Sequence, residues 1–352
     1  MTGAARATRG TGTFEASEAV ELATVDRSGF IESRHVGSAV VVSPAGEVIR
    51  SLGNPAAPII PRSCLKPIQA LTVLDAIREA GVELTEVQTV LATASHAGTP
   101  LHVEVVESIL AKAHLTTDAL QCPHDWPGDS RSRDALVRAG LGRASVFMNC
   151  SGKHAAMLLT CVANDWPLDT YLEVGHPLQQ RILATVERLT GETVATTAVD
   201  GCGAPVHALP LTALARGIGR ITSAAEGPAK TLTDSVLANG WAIDGNGRAN
   251  TVCIDELGVF SKLGAEGVMV MSTTARTVGS GSPLSPGAGT TVALKMLDGN
   301  LRAASLVGLT LLVSVGALAQ VDVERVLPAL DLAIFGGTER VGAIRVSSVV
   351  AG

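Results

Sequence analysis

Pro61-Arg-Ser-Cys-Leu-Lys-Pro67 is the stretch from which the rest of the chain can be read. Three prolines lead into it, Pro55, Pro58 and Pro61. Each lacks an N–H and disfavours helical backbone at the residue before it, so the approach is extended. Beyond it an apolar helix runs through Gln69, Ala70, Leu71, Leu74 and Ile77, and Ala80-Gly81 supplies its stop. Ser63 and Lys66 stand three residues apart and so share one face of the first turn. A serine at a helix start with a lysine one turn on is the Ser-x-x-Lys arrangement of an acyl-transfer nucleophile. A neutral lysine takes the hydroxyl proton where burial or nearby cations lower its pKa. The backbone N–H groups of that turn suit an oxyanion. A capping serine beside a surface lysine has the same spacing, so the surroundings must decide.

Upstream, the pattern turns strand-like from Val20, and Gly37-Ser-Ala-Val-Val-Val-Ser43, Pro44-Ala-Gly46 and Glu47-Val-Ile-Arg50 read as a hairpin. Residues 1–18 are small and polar and are expected to be a flexible N-terminal segment. Downstream, an apolar segment over 86–94 ends in Ser95-His-Ala-Gly98, and a helix is expected from Pro100 to Ala113. Residues 121–130 form a Pro/Gly loop. Strand-like segments at 145–149 and 193–199 lead into Cys150-Ser-Gly-Lys-His154 and Asp200-Gly-Cys-Gly203, with a helix from Ala155 to Val162. The Ser/Gly/Thr-rich region 270–290 reads as a loop near the site or a mobile connection. With no repeat and no clean linker, residues 19–350 are expected to form a single α/β catalytic domain.

Three further clusters carry chemistry. Ser95-His-Ala-Gly98 sets a hydroxyl and an imidazole beside a glycine turn, as an active-site loop would; a helix cap ahead of Pro100 is the plainer reading. Cys150 and Cys202 are framed by glycines, and two thiolates suit zinc. Generic ligand chemistry nominates His154 as a third ligand, since Lys153 must first lose a proton. Lys262-Leu-Gly-Ala-Glu-Gly267 beside a strand is like the third element of penicillin-recognising sites. Cys64, Cys122, Cys161 and Cys253 read as packing residues.

Composition narrows the function classes. The 27 Lys+Arg against 33 Asp+Glu leave a net charge of −6, and aromatics are 3% of the chain, so neither a phosphate-binding face nor a base-stacking platform is available. No nucleic-acid partner is expected. The longest apolar run, Leu306 to Ala319, falls short of the roughly 20 residues that span a bilayer and reads as a buried helix. No signal-peptide pattern opens the chain, so a cytoplasmic protein with six reduced cysteines and no membrane partner is expected.

Taken together, PRSCLKPIQAL, ASHAG, NCSGKHAAML, VDGCGAP, KLGAEGV and LKMLDGNLRA resemble, in order and spacing from about residue 20 to 345, the successive blocks of the asparaginase II family, the Rhizobium-type (class 3) L-asparaginases. The resemblance implies an α+β sandwich like that of serine β-lactamases and glutaminases. It implies hydrolysis of L-asparagine to L-aspartate and ammonia. Two Ser-Lys pairs are implied as catalytic, Ser63 with Lys66 and Ser95 with Lys262. It also implies Zn2+ held by Cys150, Lys153 and Cys202, substrate contacts from Asp200 and Arg62, and a homodimer. Two positions depart from the family pattern: Cys64 where a small residue is common, which is expected to make the site sensitive to thiol reagents, and Asn54-Pro55 in place of Asp-Pro.

These residues point to an acyl-enzyme route, with Ser63 as nucleophile, Lys66 as base, and Ser95 and Lys262 relaying protons or joining the attack. Zinc is read as supporting the site. Three alternatives stay open: a glutaminase or other serine amidohydrolase on the same fold, a zinc-dependent amidase, and a non-catalytic amino-acid binder. Absent Ser-Asp-Asn and Lys-Thr-Gly motifs argue against a penicillin-recognising enzyme. Glutamine is one methylene longer than asparagine, a difference that a pocket discriminates by only about 1–3 kcal/mol.

Overall fold

A computed structural model describes residues 12–279 and 287–352. Its centre is an antiparallel sheet. The strand order is Ala333–Gly336, Glu339–Val346, Val20–Arg27, Phe30–Val42, Thr291–Met296, Val268–Ser272 and Phe260–Gly264, with Val48–Leu52 also paired to Phe30–Val42. The expected hairpin is present, with Val42 opposite Val48 and Ala39 opposite Leu52.

Both faces of this sheet are covered, which explains why its central strands are continuous apolar runs rather than alternating ones. Val40, Val42, Val268 and Val270 point into one core, and Ala39, Val41, Met269 and Met271 into the other. Helices Lys66–Glu79, Glu86–Thr93, Ser151–Ala163, Pro177–Thr190 and Leu211–Thr222 build the first core. Helices Ala249–Leu257, Ala304–Ser314 and Gln320–Val326 close the second. The mixed α/β architecture is as expected. The apolar run near the C-terminus is the buried helix Ala304–Ser314, stopped at Gly316, whose φ is +73°. No helix among the described residues is long and apolar enough to cross a membrane.

Two local expectations change. Ser145–Phe147 is a 3-10 turn, not a strand, so Cys150 does not follow the end of a sheet strand. Of the expected flexible segment, residues 1–11 lie outside the described residues. Phe14 is buried in the first core and Ala16–Glu18 form a 3-10 turn capped by Glu18 on the Glu15 N–H. Of region 270–290, residues 280–286 are likewise outside the described residues. On either side of them Thr273 and Thr290 are joined by backbone bonding, with the Thr273 N–H donating to the Thr290 carbonyl at 2.9 Å.

Candidate active site

The Pro61 stretch folds as a 3-10 turn over Arg62–Leu65 that passes directly into the helix Lys66–Glu79. Arg62 takes φ +50°, a left-handed conformation that costs a non-glycine residue about 1 kcal/mol or more. Its side chain compensates: Nε donates to Asp200 Oδ1 at 2.6 Å, and Nη1 lies 3.8 Å from Glu266 Oε1. Ser63 is half-buried, and no hydrogen bond from its hydroxyl is found among the described residues. The Cys64 N–H is spent on the Pro61 carbonyl, 3.0 Å away.

Lys66 and Lys262 are both almost fully buried, and their amines converge on one atom. Lys66 Nζ donates to Ser95 Oγ at 3.0 Å and Lys262 Nζ to the same oxygen at 2.9 Å. Lys66 Nζ also reaches the Ala94 carbonyl and Lys262 Nζ the Leu263 carbonyl. The sequence pairs Ser63 with Lys66 and Ser95 with Lys262; the structure joins both lysines through Ser95. Two ammonium groups on one hydroxyl repel, and burial adds to the cost. Burial first, then the charge of Lys66, brings the Lys262 amine down to about 8.

Glycine explains how strand Phe260–Gly264 comes close enough. A Cβ on Gly264 would lie 2.8 Å from the Pro61 carbonyl oxygen and 3.1 Å from Cys64 Sγ. The strand therefore rests on the Ser63 turn, and the Cys64 thiol donates to the Lys262 carbonyl at 3.1 Å. This overturns the expected thiol sensitivity. Cys64 has no exposed surface, and burial pushes its thiol up to about 12.

Ser95 is held by its backbone, the N–H donating to the Ile243 carbonyl at 2.9 Å. His96 is architectural. Its Nδ1 accepts from the Gly98 N–H, leaving Nε2 to donate to Ser151 Oγ at 2.9 Å, which passes its own proton to the Val146 carbonyl. Burial, then His102 and Lys66, keep the imidazole neutral. Thr99 caps the helix Pro100–Lys112, so the segment is both a site loop and a helix entry.

Cys150 caps the helix Ser151–Ala163, which starts earlier than the sequence pattern implies and carries Lys153 in its first turn. A Cβ on Gly152 would meet the Leu91 carbonyl oxygen at 2.6 Å, so glycine lets this helix lie against the end of Glu86–Thr93. Lys153 Nζ lies 3.1 Å from Cys202 Sγ, and Cys202 Sγ lies 3.6 Å from Asp200 Oδ2. The structure thus gathers Cys150, Lys153, Cys202, Asp200 and Arg62 into one network. A hydrogen bond from Cys150, opposed by burial and aided by Lys153, holds Cys202 as a thiolate, while Cys150 keeps its proton. Burial works against charge on Lys153, but Cys202 and Cys150 outweigh it and raise its pKa.

His154 Nδ1 is 2.6 Å from the Tyr171 hydroxyl, while its ring also faces Cys202, which works against the burial that lowers the imidazole's pKa. Its Nε2 is buried, with no partner of good hydrogen-bond geometry among the described residues. Among the described residues no group of three or more His, Cys, Asp or Glu side chains is placed to hold a metal. The residue-by-residue reading missed Asp244, a buried carboxylate facing Lys262. Its only sequence signal is the glycine-rich setting Ile243-Asp-Gly-Asn-Gly247. A cleft of about 790 Å³ opens beside the site, lined by Ile59, Arg62, Ala198, Gly201, Glu266 and Lys295.

No curated protein matches this sequence. The sequence does match the model of the L-asparaginase II family over residues 23–346, a span that holds every residue of the site just described. The chain belongs to the L-asparaginase II family and is a hydrolase acting on amides.

Proposed function

We propose that this enzyme hydrolyses L-asparagine through an acyl-enzyme formed on Ser63, with Lys66, Ser95 and Lys262 moving the protons. The observation that carries the reading is the convergence of two buried amines on Ser95 Oγ, at 3.0 and 2.9 Å. A hydroxyl held between two amines is built to pass protons between them. Ser63, at the mouth of the turn and without a described partner for its hydroxyl, is free to attack.

The Ser63 oxygen attacks the side-chain amide carbon, and its proton goes to the lysine pair in the form with the Lys262 amine neutral, which gains ground as pH passes about 8. The oxyanion needs N–H donors; the Cys64 and Lys66 N–H groups are already held by the Pro61 and Ser63 carbonyls, which leaves the Ser63 N–H of the turn for it. Ser95 passes the proton to the amide nitrogen, the C–N bond breaks, and ammonia leaves. Water then cleaves the β-aspartyl ester and restores Ser63. Because one amine must be neutral, kcat/KM is expected to rise with pH through about 8. Asp200 and Arg62 present opposite charges side by side, the complement of an α-ammonium and an α-carboxylate.

The residues around Cys202 fit zinc. Two buried sulfurs, one held as thiolate, and Lys153 Nζ 3.1 Å from that sulfur make a compact donor set once the ion displaces the Lys153 proton. Cys150, Lys153 and Cys202 would hold the ion. It would supply a fixed positive charge that keeps Asp200 and the substrate in place. Cys202→Ser is expected to lower zinc content by elemental analysis, and undiminished zinc would remove Cys202 from the set. The direct test of function is ammonia release from L-asparagine beside L-glutamine. Release from asparagine that Ser63→Ala abolishes in folded protein supports the reading, and near-normal release by that variant overturns it.

A further inference from the structure

The loop Ile243-Asp-Gly-Asn-Gly247 touches both halves of the proton pathway. Its Ile243 carbonyl holds the Ser95 N–H, and a Cβ on Gly245 would lie 3.1 Å from the Ala97 side chain, so the loop is pressed against the Ser95 segment. Asp244, within it, is 6% exposed. Asn250 Nδ2 donates to Asp244 Oδ2 at 2.7 Å and Thr251 Oγ1 approaches Oδ1 at 3.5 Å. Asn250 Oδ1 in turn accepts from Ser261 Oγ at 3.1 Å, one residue before Lys262. No cation among the described residues is within ion-pair distance of the carboxylate. A buried carboxylate that is oriented by an amide but not neutralised is costly to keep for packing alone.

Building on the serine–lysine reading above, we propose that Asp244 is a positioning residue for hydrolysis: it supplies the buried negative charge faced by Lys262 and ties the Ser95 loop to the Lys262 strand through Asn250 and Ser261. The charges around both groups are consistent. Lys262 is faced by Lys66 from the helix, Cys64 from the turn, Cys150 from the start of helix Ser151–Ala163, and Asp244 from the loop. Asp244 is the only carboxylate of that set. Burial opposes its charge, Lys262 and Arg248 favour it, and Cys253 lies behind it.

The sign of the effect follows. A carboxylate stabilises the Lys262 ammonium, so its loss makes the amine neutral at lower pH. In Asp244→Asn the acid limb of kcat/KM for L-asparagine is expected to move toward acid by about half a pH unit or more, with a lowered plateau. Asp244→Glu should return the limb toward its original place, which a purely structural side chain would not do. Asp244→Ser, small and able to meet the Asn250 amide, gives the same readout if the asparagine variant does not fold. An acid limb unmoved in folded Asp244→Asn or Asp244→Ser overturns this inference alone. A wild-type profile flat from about pH 6 to about pH 9 overturns it together with the serine–lysine reading.

Discussion

Ser95 and Cys64 show how surroundings decide whether a side chain with a nucleophilic atom meets proton carriers or is sealed away from them. Ser95 Oγ meets two amines, and its proton can move. Cys64 adjoins Ser63 in sequence, yet its thiol faces inward to the Lys262 carbonyl and rests against Gly264. A thiolate there would lack water and would have to break that bond, which is why its pKa stands near 12. Folded enzyme treated with iodoacetamide at neutral pH is therefore expected to keep its activity, with no label on the Cys64 peptide. Rapid labelling of that peptide with parallel loss of activity would contradict the burial described. The residue types at the site were legible from sequence because Ser-x-x-Lys and glycine-framed thiols carry their chemistry in their spacing. The partnership of Lys66 with Ser95 was not, because it depends on where a lysine stem four carbons long is steered once the helix is packed.

At the scale of elements, the site is an assembly of approaches that only glycine permits. Gly264 lets a strand touch the Ser63 turn, and Gly152 lets one helix meet the end of another. Gly264→Ala would place a methyl 2.8 Å from the Pro61 oxygen, and backbone cannot swing aside as a flexible side chain can. The strand must retreat, and Lys262 retreats with it. Activity is expected to fall by about a hundredfold or more, as displacement of catalytic groups by an ångström does, with a stability loss of about 1–3 kcal/mol. Assays of kcat and Tm together test this; an active, fully stable variant would show that the contact is not what positions Lys262. The hairpin at Val42 and Val48 and the helix after Pro67 were readable, since turn residues and apolar spacing are local. Pairing of Phe30–Val42 with Thr291–Met296 was not, because nothing within either strand names a partner some 250 residues away.

Across the whole molecule, buried neutral histidines make stability depend on pH. His102 is 1% exposed and burial holds its pKa near 4, and His96, stacked on it with ring centroids 5.2 Å apart, is also depressed. The unfolded chain binds these protons near pH 6.5 and the folded chain does not, so acid favours unfolding. His102 alone is expected to remove about 2 kcal/mol of stability between pH 7 and pH 5. Urea denaturation at the two pH values checks this, and a higher midpoint at pH 5 would contradict it.

The central claim, that the Ser63 hydroxyl carries the acyl group, is tested most directly by quenching the enzyme in acid during turnover of L-asparagine and mapping the adduct by peptide mass spectrometry. The account predicts a β-aspartyl ester on the peptide containing Ser63, absent from Ser63→Ala. An ester on the Ser95 peptide, or full turnover with no ester on either serine under conditions that trap one, would contradict it.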